Sequence, residues 1–273
     1  VGASALRNRS RRATFLCYHS IAAEGPRYLT VNAELFERQL AELRRLGVRG
    51  GDLAALAAAA AGSLTEPTAF LTFDDGFRDN YETALPLLRE HGYSAFVFVL
   101  PPLVDAAGPF AWPEVAADQE RFPATMRSVD WSMLGEMKEA GFEVGSHTLS
   151  HPHLPAVGGE SLKEELWESR RRVTEHLGSC DTLAYPFGEW SPAVAAAAAE
   201  CGYRFAFSLP TASGQRGAGP HSIPRVNVDY RDDESRLAKK LSPLGKRLFL
   251  SPEVAALRRA NRKLRGRAQP GTA

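Results

Sequence analysis

The stretch FLTFDDGFRDN, residues 70–80, passes in one step from the apolar run Phe70-Leu71-Thr72-Phe73 to the adjacent carboxylates of Asp74 and Asp75, and then to Gly76. A short apolar run stopped by turn residues is the pattern of a strand buried on both faces. Two carboxylates at its end repel each other, and burying either one is costly unless something compensates. Asp and Gly are ordinary turn residues, so a turn with a helix cap behind it is one reading. The other is that one aspartate holds a cation while its neighbour does acid–base work.

Similar runs recur along the chain. Strands are expected at Thr14–His19, Ala69–Phe73, Ser94–Leu100, Phe142–Ser146, Thr182–Ala184, Arg204–Ser208 and Pro224–Val228. Helical patterns lie between them. Asn32 can cap AELFERQLAELRRLG, whose Leu35, Phe36, Leu40, Leu43 and Leu46 form an apolar stripe that stops at Gly47. YETALPLLREHG ends at Gly92, with Pro86 in its early turns. Ser161 and Glu164 have capping-box spacing before LWESRRRVTEHLG, and Ser191-Pro192 opens an alanine-rich run that ends near Gly202.

This alternation predicts an α/β fold with a parallel sheet covered on its faces. About seven strands favour a distorted, TIM-like (β/α) barrel over an open sheet. Residues 1–13 then form a basic N-terminal segment, 14–240 the barrel and 241–273 a basic helical tail. In a barrel the chemistry sits in loops after the C-terminal ends of the strands. His19, Asp74, Asp75, His147, Pro186 and Phe187 all fall there. The Pro-rich segment 101–128, which carries Phe110 and Trp112, is long enough to be a lid or a disordered insertion.

The chain has 273 residues, 44% of them hydrophobic and 24% charged, as expected of a globular protein with a sizeable core. A formal net charge of +1 gives no global field for nucleic acid. Cys17, Cys180 and Cys201 are widely spaced and form no CxxC pair. The basic stretch VGASALRNRSRR is not followed by the apolar core of a signal peptide. Together these favour a cytoplasmic setting, although a chain that begins with Val could have lost a leader.

The second informative stretch is VGSHTLSHPHL, residues 144–154. His147 and His151 are four apart, so one helical turn would bring both imidazoles to the same side. Two imidazoles and a carboxylate are a common catalytic zinc set that leaves a position for water. A nearby divalent charge would also reconcile Asp74 with Asp75. His153 reads as a rim residue. Trp131, in SVDWSML, reads either as a stacking floor for a sugar or as a core residue.

TFDDG (72–76), HTLSH (147–151) and AYPFG (184–188) resemble the first three motifs of the polysaccharide deacetylase family, the NodB-like carbohydrate esterases, over roughly Phe15 to Val228. The resemblance implies a distorted (β/α) barrel that hydrolyses N-acetyl, sometimes O-acetyl, groups on sugars with zinc or a similar divalent ion such as cobalt or nickel. It makes Asp74 the catalytic base and Asp75, His147 and His151 the metal ligands. The Phe187 amide becomes the oxyanion donor, flanked by Tyr185 and Pro186 in the substrate site.

Two departures stand out. The arginine that usually opens the third motif is Ala184 here, and Arg225, in IPRVNV, is the best substitute. The C-terminal Leu-x-Ile-His run that usually supplies the catalytic acid is missing, but residues 16–19 read LCYH. The first and last strands of a closed barrel are neighbours, and some exopolysaccharide deacetylases look permuted in this way. His19 is therefore the candidate acid.

From Leu241 onward, Lys246, Arg247, Arg258, Arg259, Arg262, Lys263, Arg265 and Arg267 are spread among Leu244, Leu248, Phe249, Leu250, Val254 and Leu257. Such a segment is either a peripheral membrane contact or a terminal helix packed on the barrel. The expected partner is an N-acetylated carbohydrate and not a nucleic acid. Two rival readings keep the fold: a hydrolase for a small metabolite, and a catalytically silent carbohydrate-binding barrel. No motif speaks to oligomeric state.

Overall fold

The computed structural model describes residues 12–110, 112–210 and 219–257. Its main sheet is built from β1 (Ala13–Tyr18), β2 (Thr68–Phe73), β3 (Phe96–Val99), β4 (Glu143–Ser146), β5 (Thr182–Ala184), β6 (Phe205–Ser208), β7 (Ile223–Pro224) and β8 (Val226–Asn227). All pairings are parallel, in the order β7-β6-β5-β4-β3-β2-β1-β8. The two ends of this path are consecutive in the chain and separated only by Arg225. The sheet therefore returns on itself as a barrel of seven staves, with β7 and β8 sharing the last. Arg49–Gly50 adds a short pairing to β2.

Period-two alternation gives each stave two apolar faces. Leu16, Tyr18, Leu71, Phe73, Val97 and Val99 share a buried cluster with Phe36, Leu40 and Leu43 of α1 (Ala33–Arg45). Phe15, Phe70, Phe96, Phe98 and Phe207 point the other way. β3 and β6 are not sheet neighbours, yet Phe207 lies 6.0 Å from Phe96 and 5.4 Å from Phe98 between ring centroids. These contacts cross the lumen, so the barrel floor is a plug of phenylalanines and the polar groups sit above it. A parallel sheet needs both faces covered, and helices outside with rings inside meet that need.

The helix ends follow the expected chemistry in most places. Asn32 accepts from the Leu35 N–H at 2.8 Å to cap α1. α2 (Leu53–Ala61) follows, and a π-helical turn at Asn80–Ala84 leads into α3 (Leu85–His91), with Pro86 near its start. The described residues of segment 101–128 are packed structure. They hold α4 (Pro101–Ala106) and α5 (Ala116–Arg121), and Phe110, Trp112, Val115 and Met126 make a small core of their own with Leu29, Phe77 and Leu100. α6 (Trp131–Glu139) precedes β4. α7 (Gly159–Leu177) begins three residues before the expected start: Gly158 takes the cap position and Ser161 lies inside the helix. Ser191 does cap α8 (Pro192–Glu200).

After β8 come α9 (Glu234–Leu241) and α10 (Pro243–Phe249). Part of the expected basic tail is thus packed structure. Lys246 is buried and donates to the Ala13 carbonyl at 3.0 Å, and Phe249 and Leu250 pack on the main core. Arg258, Arg259, Arg262, Lys263, Arg265 and Arg267 lie outside the described residues, as do residues 1–11 of the N-terminal segment. No helix among the described residues is long and apolar enough to cross a membrane.

Phe70 touches Phe15 at 4.7 Å and Phe96 at 6.2 Å, and its ring fills the space beside Gly51. Phe70→Ala should lower the unfolding free energy by about 3–5 kcal/mol, because it empties the plug. Leu248, 47% exposed, serves as the control. Its alanine variant should stay within about 0.5 kcal/mol of wild type. Urea denaturation of both variants measures the difference.

Candidate active site

The loops after β1, β2, β4 and β5 converge above the aromatic plug. Asp74 continues β2, its N–H donating to Tyr18 O at 3.0 Å, so its side chain is aimed into the lumen. There it meets Arg225, set between β7 and β8. Nη1 donates to Asp74 Oδ1 at 2.6 Å, Nη2 to Oδ2 at 2.7 Å, and Nη1 also to Thr72 Oγ1 at 2.9 Å. Both side chains are essentially out of water, at 0% and 3% exposure. The guanidinium lies 5.7 Å from the Phe98 ring centroid and 5.8 Å from that of Phe207. Ala184, fully buried beside Phe207, leaves this space open. Arg225 thus engages the base candidate from another stave.

Burial alone would raise the Asp74 carboxyl, but Arg225, with help from His147, outweighs it and holds the group well below the usual carboxylate range. Cys17 also touches it, Sγ to Oδ2 at 3.4 Å. Burial pushes this thiol far up, so it stays a neutral donor.

Asp75 turns the other way. Its φ of 71°, followed by Gly76 at 69°, places two successive residues in the left-handed region. A Cβ on Gly76 would come within 2.8 Å of Val99 Cγ1, so this turn requires glycine. The twist brings Asp75 Oδ1 to 3.3 Å from His147 Nε2 and 3.6 Å from His151 Nε2. That oxygen is buried and has no hydrogen-bond partner among the described residues.

The two histidines do not share a helical turn. HTLSH is an irregular loop in which Thr148 and His151 have φ of 71° and 59°. It is held by Ser146 Oγ, which accepts from the Thr148 N–H, and by Glu165 of α7, which accepts from the N–H groups of Leu149 and Ser150. The imidazoles converge because the loop doubles back, not because of helical spacing.

His147 Nδ1 lies 2.8 Å from Ala184 O. A carbonyl can only accept, so Nδ1 carries the proton and neutral His147 presents a lone pair at Nε2. A backbone carbonyl behind a ligating imidazole is the usual way to fix a metal-binding tautomer. One donor atom each from Asp75, His147 and His151 lie within 4.8 Å of one another. Two imidazole nitrogens and a buried carboxylate oxygen with no other partner fit a divalent ion of the zinc type. Cys17, His19 and Asp74 form a second compact triplet. There Arg225 already occupies both Asp74 oxygens and the thiol is protonated, so that set does not fit a cation.

His19 stands half-buried at the end of β1, within reach of Asp74. Burial lowers its pKa against the pull of Asp75 and Asp74. Asp79 and Asn80 fix the turn behind it. The Asp79 carboxylate accepts from Ser20 Oγ at 2.7 Å and from the Ile21 N–H at 2.8 Å, and Asn80 Nδ2 donates to His19 O at 2.7 Å. These two residues close the opening stretch FLTFDDGFRDN, yet no local pattern signals their role.

Phe187 also has a left-handed backbone, φ 57°. Its ring packs on His151 at 4.6 Å and on His153 at 4.0 Å. Trp112, from segment 101–128, also stacks on His151, at 4.4 Å. Its place at the cluster was not foreseen; an aromatic in a long loop is the only hint the sequence offers.

Two expected substrate contacts are engaged by partners within the fold. Trp131 is the first residue of α6, behind the Asp130 cap, and is stacked on His176 at 4.0 Å with its Nε1 donating to Asp105, and so serves helix packing. The Tyr185 side chain is fully buried and donates to His221 O at 2.8 Å, which ties β5 to the approach to β7. Pro186 is buried beside it and begins the turn that carries Phe187.

The class this defines is a parallel (β/α) barrel with an Asp-His-His cluster and a buried carboxylate–guanidinium pair at its C-terminal rim. The chain belongs to the polysaccharide deacetylase family, whose model matches residues 61–206, more than half of the chain. It is 30% identical over 139 residues to a chitooligosaccharide deacetylase of Sinorhizobium fredii, covering 50% of this chain and 54% of the relative. The chain spans about half the length of the curated relatives it matches, 52% and 54%. In fold it is similar to the Streptococcus pyogenes deacetylase PplD solved with acetate (TM-score 0.71, 22% identity, 85% of this chain and 98% of that one). It is also similar to IcaB from Ammonifex degensii (TM-score 0.67, 21% identity, 85% and 97%).

In metal-stripped protein, Arg225→Gln should cost about 3–5 kcal/mol of stability at pH 7, because it leaves Asp74 ionised and unpaired inside the barrel. In the wild type the Asp74 pKa is depressed below its ordinary 3.8. Its contribution to stability is therefore complete above that value and is lost as pH falls through the depressed one. In the variant, burial without the guanidinium raises the pKa, so acidification relieves the penalty. Urea denaturation should show the gap between the two proteins narrowing from pH 7 to pH 5. A gap independent of pH would separate Asp74 ionisation from the role of Arg225.

Proposed function

We propose that the chain is a metal-dependent hydrolase that removes the N-acetyl group from an N-acetylated sugar of a glycan or glycoconjugate. The observation that carries this reading is the convergence of Asp75, His147 and His151 on one point, next to an aspartate kept ionised by Arg225. Membership of a deacetylase family, in which metal dependence is general, supports it.

Asp75, His147 and His151 would hold the ion, zinc being the best fit to the donor set. When bound, the ion supplies Lewis acidity that polarises the acetyl carbonyl and acidifies water. The remaining work falls to the chain. Asp74 accepts a proton from the attacking water, whose oxygen adds to the acetyl carbon. The Phe187 amide, fixed by its left-handed backbone, donates to the developing oxyanion. The C–N bond breaks as His19 delivers a proton to the departing nitrogen, leaving acetate and a free amino sugar. Trp112 and Phe187 pack the flanks of His151 and keep bulk water away from the cluster.

Acetate release from N-acetylated oligomers, nucleotide sugars and small glycosides tests this, with stripped protein and with zinc or cobalt restored. Release should depend on metal. Asp74→Asn and His19→Gln should each lower kcat by about 10²–10⁴-fold. Release that is indifferent to metal, or unchanged in Asp74→Asn, would refute the assignment.

A further inference from the structure

The reaction occupies one end of the barrel, and the opposite end carries a surface of its own. All staves run parallel, so the starts of β1 and β2 lie at the end away from Asp75, His147 and His151. Lys246 of α10 donates to Ala13 O there, at 3.0 Å. Ala13 is in register with Thr68, and Thr68 with Arg49 on its other side. α10 and Arg49 therefore share the N-terminal end.

The outer side of α10 is apolar. Lys246 is buried, and Phe249 and Leu250 pack on the main core. A Cβ on Gly245 would come within 1.7 Å of Lys239 O, so α10 sits too close to α9 to roll. Leu244 and Leu248, one turn apart, are thereby held outward. Leu244, at 76%, is the most exposed large hydrophobic side chain among the described residues, and Leu257 follows at 66%.

Cations gather at the same end. Residues 1–12 and 258–273 hold ten of the chain's 33 lysines and arginines and none of its 32 acidic residues. The near-neutral total thus hides a strong asymmetry, with a net negative body between two basic segments. Arg12 donates to the carbonyls of Leu64 and Thr65, just before β2. A cleft of about 510 Å³ beside Gly50 and Tyr93 adds Arg44, Arg49, Arg89 and His91. Glu66 pairs with Arg49 at 2.8 Å, and Glu90 also lines the cleft. Arg44 and Arg89 make no ion pair among the described residues, where His91 Nδ1 is also buried without a hydrogen-bond partner.

Cations alone would suit any polyanion, and leucines alone any apolar partner. On one end of a rigid barrel the two together suit a bilayer with anionic headgroups, where leucines enter the acyl boundary and arginines stay at headgroup level. A nucleic acid would leave the leucines in water. We propose that the N-terminal end of the barrel docks on an anionic membrane surface through the outer side of α10, Leu257 and the two basic segments, with the reaction site facing away from the lipid. Charge and apolar contact act as two signals, neither sufficient alone. This docking does not depend on the reaction assigned above.

Flotation of the full chain with vesicles tests it, using phosphatidylcholine alone and phosphatidylcholine mixed with phosphatidylglycerol. Partition onto the anionic vesicles should be at least about tenfold stronger, and added salt should weaken it. Leu244→Ala combined with Leu248→Ala should weaken it by about tenfold, with the urea midpoint unchanged. Acetate release from a soluble sugar should also be unchanged in that variant, so docking and reaction are read separately. Orientation has its own readout. A dye on Leu248→Cys, with Cys201→Ser removing the half-buried thiol, should be quenched by brominated lipid. The same dye on Tyr230→Cys, in the loop after β8 at the other end, should not be. Equal partition onto both vesicles, binding indifferent to the two leucines, or equal quenching at 248 and 230 would each overturn the proposal. A DNA oligonucleotide bound at least as tightly as the anionic vesicles, and indifferent to the leucines, would assign this end to nucleic acid instead.

Discussion

The Asp74–Arg225 pair is the constraint on which the rest of the structure turns. Two opposite charges buried in the mouth of a barrel gain little net stability, because desolvation offsets most of their attraction. Their arrangement makes sense as a device for keeping a carboxylate ionised where burial would otherwise protonate it. Both guanidinium prongs are used, the planar group lies near the adjoining rings of Phe98 and Phe207, and Thr72 accepts a further hydrogen bond. Each of these neighbours is a β-stave residue pointing inward, so the pair's geometry is as rigid as the sheet. Lysine at 225 would keep the charge but lose the fork.

A second constraint is backbone strain. Non-glycine residues seldom adopt a left-handed conformation, yet Asp75, Thr148, His151 and Phe187 do so, and all four lie in the site loops. Each costs on the order of 1–3 kcal/mol and persists only where the surroundings over-determine it. Here the surroundings are visible: Gly76 against Val99, Glu165 clamped on the HTLSH loop, and the Phe187 ring wedged between two imidazoles. The strain turns consecutive side chains in opposite directions. Asp74 can therefore face the arginine while Asp75 faces the histidines, which answers why two carboxylates stand side by side.

The staves were legible in the sequence because buried parallel strands are written as short apolar runs, and each expected run coincides with a stave to within two residues at either end. Asp74, Asp75, His147 and His151 were legible as polar interruptions at the ends of those runs. Arg225 could be inferred from the alanine at 184, since a missing partner implies a substitute. What stayed hidden was side-chain direction in irregular backbone. Spacing cannot show that HTLSH doubles back, that Tyr185 ties two staves together, or that Trp131 packs against His176 while Trp112 stacks on His151. Asp79 and Asn80 were equally silent, because their partners lie about sixty positions away in a turn that only tertiary structure brings close.

The location of His19 follows from closure and not from chain order. In an open sheet the first and last strands can lie at opposite edges, and a group on the first strand could not replace one on the last. Here β1 pairs with β2 on one side and β8 on the other, so a residue leaving β1 stands between Asp74 and the stave of Arg225. The position that matters is the angular one around the barrel axis. Any cut in the ring preserves it, provided Asp79 and Asn80, or their equivalent, hold the turn that follows. The same reasoning covers the arginine: carboxylate and guanidinium need only point into one lumen from any two staves whose side chains can meet. Ala184 and Arg225 satisfy that condition as a pair, one supplying space and the other charge.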